Sequence, residues 1–238
     1  MARHRRKNFT TSILLAACLL ITGILTLVSF GVFTHQGNIS LFQNWGQKTE
    51  EADTSLGWNL ILVNQNYRVP DDYQIELTEL ANGEKVDSRI YPELQAMFDD
   101  ARASGLALFV REGYRTAQEQ QEIMDERIQE YQAEGYSKKE AKQLAEQYVA
   151  APGTSEHELG LSVDINADTT KCSSDAVYRW LAEHGYQYGF VKRYPSNKTE
   201  ITGINEEPWH YRYVGREAAK EMQEKGLCLE EYVEQLSK

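Results

Sequence analysis

Ser155-Glu-His157-Glu-Leu-Gly160-Leu161-Ser-Val163-Asp164-Ile165-Asn166 is the stretch from which the rest of the 238-residue chain is read. Leu161, Val163 and Ile165 alternate with Ser162 and Asp164, the period of a strand with one apolar face. Asp164 therefore stands on the opposite face of a rigid element, a good place for a site residue. Seven positions earlier, across a turn at Gly160, His157 supplies an imidazole. Downstream, Glu206-Glu207-Pro-Trp-His210-Tyr-Arg212-Tyr213 supplies a second imidazole with a carboxylate three positions before it. Two imidazoles and a carboxylate make a three-ligand zinc set that leaves one coordination position open to water.

A zinc ion held by His157, Asp164 and His210 is expected to lower the pKa of its water to about 7 and to polarise a carbonyl. Glu207 is the candidate base for that water and the acid toward the leaving amine, with Glu206 as the alternative. On a regular strand Glu207 and His210, three apart, fall on opposite faces. The hypothesis therefore requires a bend at Pro208-Trp209. Arg115 is a candidate clamp for a terminal carboxylate or an oxyanion, against the plainer reading of a surface ion pair. A single histidine is more often structural than ligating, so the case rests on the joint arrangement. His184, beside Gly185, reads as a helix C-terminal cap rather than a ligand.

Around this centre the pattern predicts an α+β domain, a small antiparallel sheet with flanking helices. Trp58-Asn-Leu-Ile-Leu-Val63 suits a buried strand, and Leu77–Leu80 with the Asn82-Gly83 turn suits a hairpin. Pro92 opens a helix whose apolar face carries Leu94, Met97, Phe98 and Ala101. Leu106–Val110 reads as a strand. Thr116 with Glu119 and Ser137 with Glu140 are capping boxes, opening helices toward Tyr131 and Ala150. A helix follows over Ser174–Glu183, then a strand at Tyr188–Val191, a loop from Arg193 to Gly203, and two closing helices around Ala218–Met222 and Leu229–Leu236.

Four basic residues, Arg3, Arg5, Arg6 and Lys7, precede an uncharged run from Phe9 to Phe33. As a helix that run is roughly 37 Å long, enough to cross a bilayer. The expectation is a basic cytoplasmic tip (1–8), a single-pass transmembrane anchor (9–33), an extracellular tether (34–56) and a catalytic domain (57–238) outside the cell membrane. A cleaved signal peptide is the main alternative, but Val28–Phe33 makes a poor cleavage site. Leu15-Ala-Ala-Cys18 resembles a lipobox, yet the apolar run continues well past Cys18. His4 and His35 fall in the tip and the tether. Beyond the tip, 21 basic residues face 36 acidic ones, a balance of −15 that argues against nucleic acid as a partner. Cys172 and Cys228, both outside, are candidates for a disulfide.

Ser155-Glu-His157-Glu-Leu-Gly160-Leu-Ser-Val-Asp164 and Glu207-Pro-Trp-His210-Tyr-Arg212 resemble the patterns S-x-H-x-x-G-x-x-x-D and E-P-W-H-[FY]-R of the bacterial VanY-type zinc D,D-carboxypeptidases and the related LdcB/DacB-type L,D-carboxypeptidases. Gly113-Tyr-Arg115-Thr and Arg193-Tyr-Pro195 through Ile201-Thr-Gly203 look like further family segments, so the resemblance runs from about Trp58 onward. It implies a hedgehog/D,D-peptidase-like fold, zinc on His157, Asp164 and His210, and Glu207 as base. It also implies Arg115 with Ser155 on the substrate carboxylate or oxyanion, and Gln120 lining the pocket. The implied reaction removes the C-terminal D-Ala of peptidoglycan stem pentapeptides, which would remove the target of glycopeptide antibiotics such as vancomycin. The alternatives are an L,D-carboxypeptidase acting on tetrapeptides and a catalytically silent wall-binding module. A monomer is expected. The chain departs from the pattern at Glu158-Leu159, where Gln-Thr is common, and at Ser162, where Ala is common.

Overall fold

The computed structural model describes residues 49–238. The basic tip, the 9–33 run and the tether as far as residue 48 lie outside the described residues. Among the described residues no helix is long and apolar enough to cross a membrane.

Pairing begins with Glu50–Glu51 (β1), parallel to Tyr67–Arg68 (β2), and Ala52 is buried in the core. The packed domain thus starts inside the stretch read as tether. The run Trp58–Val63 is buried as expected but is not a strand: Trp58–Leu60 forms a 3-10 turn, and the chain then extends without a sheet partner. Ile61 and Val63 enter the main core while Leu60 and Leu62 enter a second cluster, so the segment is wedged between two apolar masses. Buried carbonyls need donors. Those of Asn59 and Ile61 take Arg212 Nη2, at 3.2 and 2.9 Å, in place of a ladder.

Leu77–Glu79 (β3) and Lys85–Asp87 (β4) form the hairpin turned by Asn82-Gly83. Tyr91–Ala103 (α1) has Pro92 in its first turn and buries Leu94, Met97, Phe98 and Ala101. Leu108–Glu112 (β5) follows. Ala117–Ala133 (α2) and Lys138–Ala145 (α3) open on the two capping boxes, with both reciprocal bonds present in each, and pack as a helical hairpin. Helix α3 ends at Ala145, short of Ala150. Then come Ser162–Ala167 (β6), Ser174–His184 (α4), Phe190–Lys192 (β7), Thr199–Thr202 (α5) within the expected loop, and His210–Tyr213 (β8). Arg216–Lys225 (α6) and Leu229–Leu236 (α7) close the described chain.

The central sheet is antiparallel with order β5-β6-β8-β7. Leu161, Val163 and Ile165 pack with Leu94 and Met97 of α1 and Val177 and Leu181 of α4. A fully buried side chain of this size contributes about 1.5–3 kcal/mol, so this face anchors β6. The opposite face carries the polar residues. In register, Asp164 lies across from His210 and Ser162 across from Arg212. The fold is thus mixed α and β, with small sheets and flanking helices.

The expected disulfide is absent. Cys172 and Cys228 are free: Cys172 Sγ sits 3.3 Å from both N and O of Ala107, while Cys228 caps the start of α7. Burial pushes the Cys228 thiol up to about 11, which keeps it protonated and inert.

Candidate metal centre and active site

Direct pairing of Asp164 with His210 puts their side chains on one face, where opposed Cβ atoms are about 4.5–5.5 Å apart. His157 arrives from the 3-10 turn Glu156–Leu159, which ends at Gly160 with φ of 66°. A Cβ there would meet Ile75 Cδ1 at 2.4 Å, so both the backbone and the space call for glycine. The three residues bring one ligand atom each to within 4.8 Å of one another. His157 Nε2 and His210 Nδ1 lie 3.5 and 3.0 Å from Asp164 Oδ1. That oxygen is buried and makes no hydrogen bond among the described residues. An orphaned carboxylate oxygen between two imidazoles, in a mixed nitrogen and oxygen set, fits zinc.

The His157 ring is held by its other nitrogen. His157 Nδ1 lies 2.7 Å from the carbonyl of Gly113, which can only accept, so Nδ1 carries the proton and Nε2 offers its lone pair. Gly113 is positioned by a register shift in β5 between Val110 and Glu112. The Arg115 amide also donates to the His157 carbonyl, at 3.2 Å. Burial and the Arg115 charge lower the His157 pKa, keeping the ring neutral. For His210, burial works downward, but the Asp164 and Glu156 carboxylates facing its two nitrogens win and raise it to about 9, a proton that a metal on Nδ1 would displace. Burial would raise Asp164, yet His157 and His210 hold it well below the usual carboxylate range.

Pro208 and Trp209 form the turn the hypothesis required, so β8 begins only at His210. The His210 amide reaches back to the Glu207 carbonyl at 3.4 Å, and Glu207 Oε2 stands 3.6 Å from His210 Nδ1. Burial raises Glu207 to about 7, against the opposing pull of His210 and Arg115. Glu206 points elsewhere, into an ion pair with Lys192 at the surface.

Across the cleft, Arg115 is mostly buried and doubly held. Its Nε pairs with Glu112 at 3.0 Å, and its Nη1 donates to Gln120 Oε1 at 2.7 Å. Gln120 in turn donates from Nε2 to the Ala150 carbonyl at 2.8 Å. Arg115, Gln120, Ser155 and Glu207 line one cleft of about 410 Å³ together with the three candidate ligands. Tyr194 and Trp209 add aromatic walls. His184 lies apart, with Nδ1 2.9 Å from the Trp180 carbonyl in the last turn of α4, in keeping with a capping role.

Sequence reasoning missed a buried ion web beneath the site. Glu156, Arg193 and Arg212 have fully buried side chains. Arg193 Nε and Arg212 Nη1 both donate to Glu156 Oε1 at 2.8 Å, and Arg193 continues to Glu230 of α7 through two bonds of 2.8 and 2.6 Å. Burial alone would raise Glu156; the two guanidiniums hold it well below its ordinary value. The signal was present in the motif: Arg212 is two positions from His210 on a strand, hence on the same buried face, where a guanidinium needs a carboxylate. Both departures from the family pattern also have partners. Glu158 accepts from the Gly153 amide at 2.8 Å, and Ser162 donates to Glu156 Oε2 at 3.0 Å.

The model of one protein family, described as VanY: D-alanyl-D-alanine carboxypeptidase, matches residues 83–216. A D-alanyl-D-alanine carboxypeptidase of Enterococcus faecalis is 57% identical over 176 residues, covering 74% of this chain and 66% of the relative, so the match spans just under two thirds of that protein. Among solved structures, a variant of the vancomycin resistance D,D-pentapeptidase VanY from the VanB-type resistance cassette, in complex with Zn(II), superposes with a TM-score of 0.73 at 57% identity, covering 74% of this chain and 99% of that one. The LdcB LD-carboxypeptidase, whose structure addresses peptidoglycan recognition, gives 0.61 at 34% identity, covering 74% and 86%.

Proposed function

The chain belongs to the VanY family of D-alanyl-D-alanine carboxypeptidases, and on that premise we propose that it is a zinc-dependent carboxypeptidase removing the terminal D-Ala from peptidoglycan stem pentapeptides. The observation that carries this is the turn at Pro208-Trp209, which sets Glu207 beside His210 while the other two candidate ligands converge on the same point.

In this reading His157 Nε2, Asp164 Oδ1 and His210 Nδ1 would hold the metal. When bound, zinc supplies Lewis-acid polarisation of the scissile carbonyl and acidifies water. Glu207, its proton affinity poised near neutrality by burial, takes a proton from the attacking water and returns it to the departing D-Ala nitrogen. Arg115, prepositioned by Glu112 and Gln120, clamps the terminal carboxylate, and Ser155 faces the same cleft as a hydrogen-bonding group. The aromatic walls from Tyr194, which is buried, and Trp209, which is partly so, strengthen these charge interactions by limiting water.

The D,D preference is favoured over the L,D alternative by identity: 57% to the solved D,D-pentapeptidase against 34% to LdcB. The same likeness supports a part in glycopeptide resistance, by removal of the D-Ala-D-Ala terminus. The basic tip and the 9–33 run support a single-pass anchor with the domain outside the cell. The protein acts as a monomer in this reading. The experiment offers pentapeptide and tetrapeptide separately to the purified full chain, and measures zinc content and released D-Ala. Stoichiometric zinc with release from pentapeptide is expected. Release from tetrapeptide alone sinks the D,D assignment, and absence of both metal and turnover favours a wall-binding module. Recovery of the intact chain in the soluble rather than the membrane fraction of expressing cells would contradict the anchor.

A further inference from the structure

We propose that Glu156 is a positioning residue for the metal centre: its carboxylate receives the Nε2 proton of His210 and so fixes the ring with Nδ1 turned to the metal. The inference rests on the reading of His210 as a ligand. His210 Nε2 is buried and has no hydrogen bond among the described residues, and the acceptor it faces is Glu156 Oε2, 3.6 Å away. Glu156 is itself fully buried and can move little. Oε1 is pinned by Arg193 Nε and Arg212 Nη1, and Oε2 by the Ser162 hydroxyl. Arg212 is fixed in turn by the carbonyls of Tyr213, Asn59 and Ile61, and Arg193 by Glu230.

Charge counting supports a positioning role. Glu156 and Glu230 balance Arg193 and Arg212, so the web is neutral without a charge on the imidazole. Glu156 can therefore accept from a neutral ring whose Nδ1 lone pair is free, the state a metal ligand needs. The two histidines are then oriented in complementary ways. His157 gives Nδ1–H to the Gly113 carbonyl and offers Nε2; His210 gives Nε2–H to a carboxylate and offers Nδ1. A carboxylate acceptor also makes the ring a stronger donor to the ion.

The rival account is purely structural: Glu156 merely neutralises two buried arginines. Glu156→Gln separates the two. The arginines demand an acceptor, so the amide oxygen turns to them and the NH₂ group turns to His210, where it favours the wrong tautomer. Zinc affinity of the full chain, measured by chelator competition with zinc as the probe, is expected to weaken about 10–100-fold. In zinc-loaded, 15N-histidine-labelled full chain, the His210 Nε2–H signal is expected to be protected from exchange in the unsubstituted protein and lost in the Gln variant. Glu230→Gln removes charge from the far side of Arg193 without touching His210. It is expected to lower thermal stability while leaving zinc affinity within about threefold. Glu156→Asp keeps the charge, and hence the fold, but withdraws the acceptor; it is read in place of Gln if that variant fails to fold, with an expected loss of about tenfold. Zinc binding within about threefold of the unsubstituted chain in the folded Gln variant, or in the Asp variant, overturns the proposal. Failure of the unsubstituted chain to bind stoichiometric zinc overturns instead the ligand reading on which it rests.

Discussion

Replacing Gly113 by alanine perturbs the metal centre from a residue that carries no side chain at all. A Cβ built there stands 2.1 Å from the carbonyl oxygen of Lys85 in β4 and 3.1 Å from its carbon. Carbon and oxygen in contact need about 3.3 Å, so the two segments must part by roughly 1.2 Å. The bonds from Tyr114 N to Lys85 O and from Gly113 N to Glu84 Oε2 stretch with them. Overpacking of this kind costs about 1–3 kcal/mol, and each weakened bond adds about 0.5–1.5 kcal/mol. A total loss near 2–6 kcal/mol is expected in urea unfolding of the metal-free protein. The same displacement draws the Gly113 carbonyl away from His157 Nδ1, at present 2.7 Å distant. Loss of such an orienting partner lowers metal affinity about 10–100-fold, read by competition with a chelator. Stability within about 0.5 kcal/mol and zinc affinity within about twofold of the unsubstituted protein would refute the claim that this glycine sets the imidazole.

Glu207→Gln is expected to cut kcat by at least about 10²–10⁴-fold with zinc retained; near-normal turnover would force the base role onto another group. Since the folded-state pKa of Glu207 is raised from 4.5 to about 7, its contribution to stability is full below 4.5 and lost as pH climbs through 7. The metal-free Gln variant should therefore be more stable than the unsubstituted chain at pH 8, by at most about 3 kcal/mol, and an equal or lower urea midpoint there would contradict this. Glu156 and Asp164 run the opposite way. Their depressed folded-state pKa values give stability that is present above about pH 4.5 and drains away as pH falls below it. Urea midpoints of the metal-free protein should drop between pH 5 and pH 3, with little relief from salt because the pairs are buried; a flat profile would count against the ion web.

The placement of Asp164 was legible because strand periodicity reports faces: the alternation Leu161-Ser-Val-Asp-Ile165 put it opposite the core. Both capping boxes were legible because they are closed within four residues. Glu207 was legible only conditionally, through the demand for a bend that Pro208-Trp209 supplies. Trp58–Val63 was misread because an apolar run reports burial and not the partner of its carbonyls, which here is a guanidinium 151 to 153 positions away. The disulfide failed for a similar reason, since thiol spacing in sequence says nothing of separation in the fold. Glu156 was given no role in the sequence reading, although a carboxylate next to a buried candidate ligand is seldom idle.

The web that joins Asn59, Glu156, Arg212 and Glu230 has a kinetic consequence. Its members come from opposite ends of the domain, Arg212 bonding 153 positions back to Asn59 and Arg193 bonding 37 positions forward to Glu230. Contacts of such separation close late in folding, because the loop entropy must be met before they form. A nascent or partly unfolded chain would therefore hold the candidate ligands without the frame proposed to aim His210. Tight capture of the ion becomes a property of the completed domain, and its escape becomes tied to the slow opening of the whole molecule rather than to the fraying of one loop.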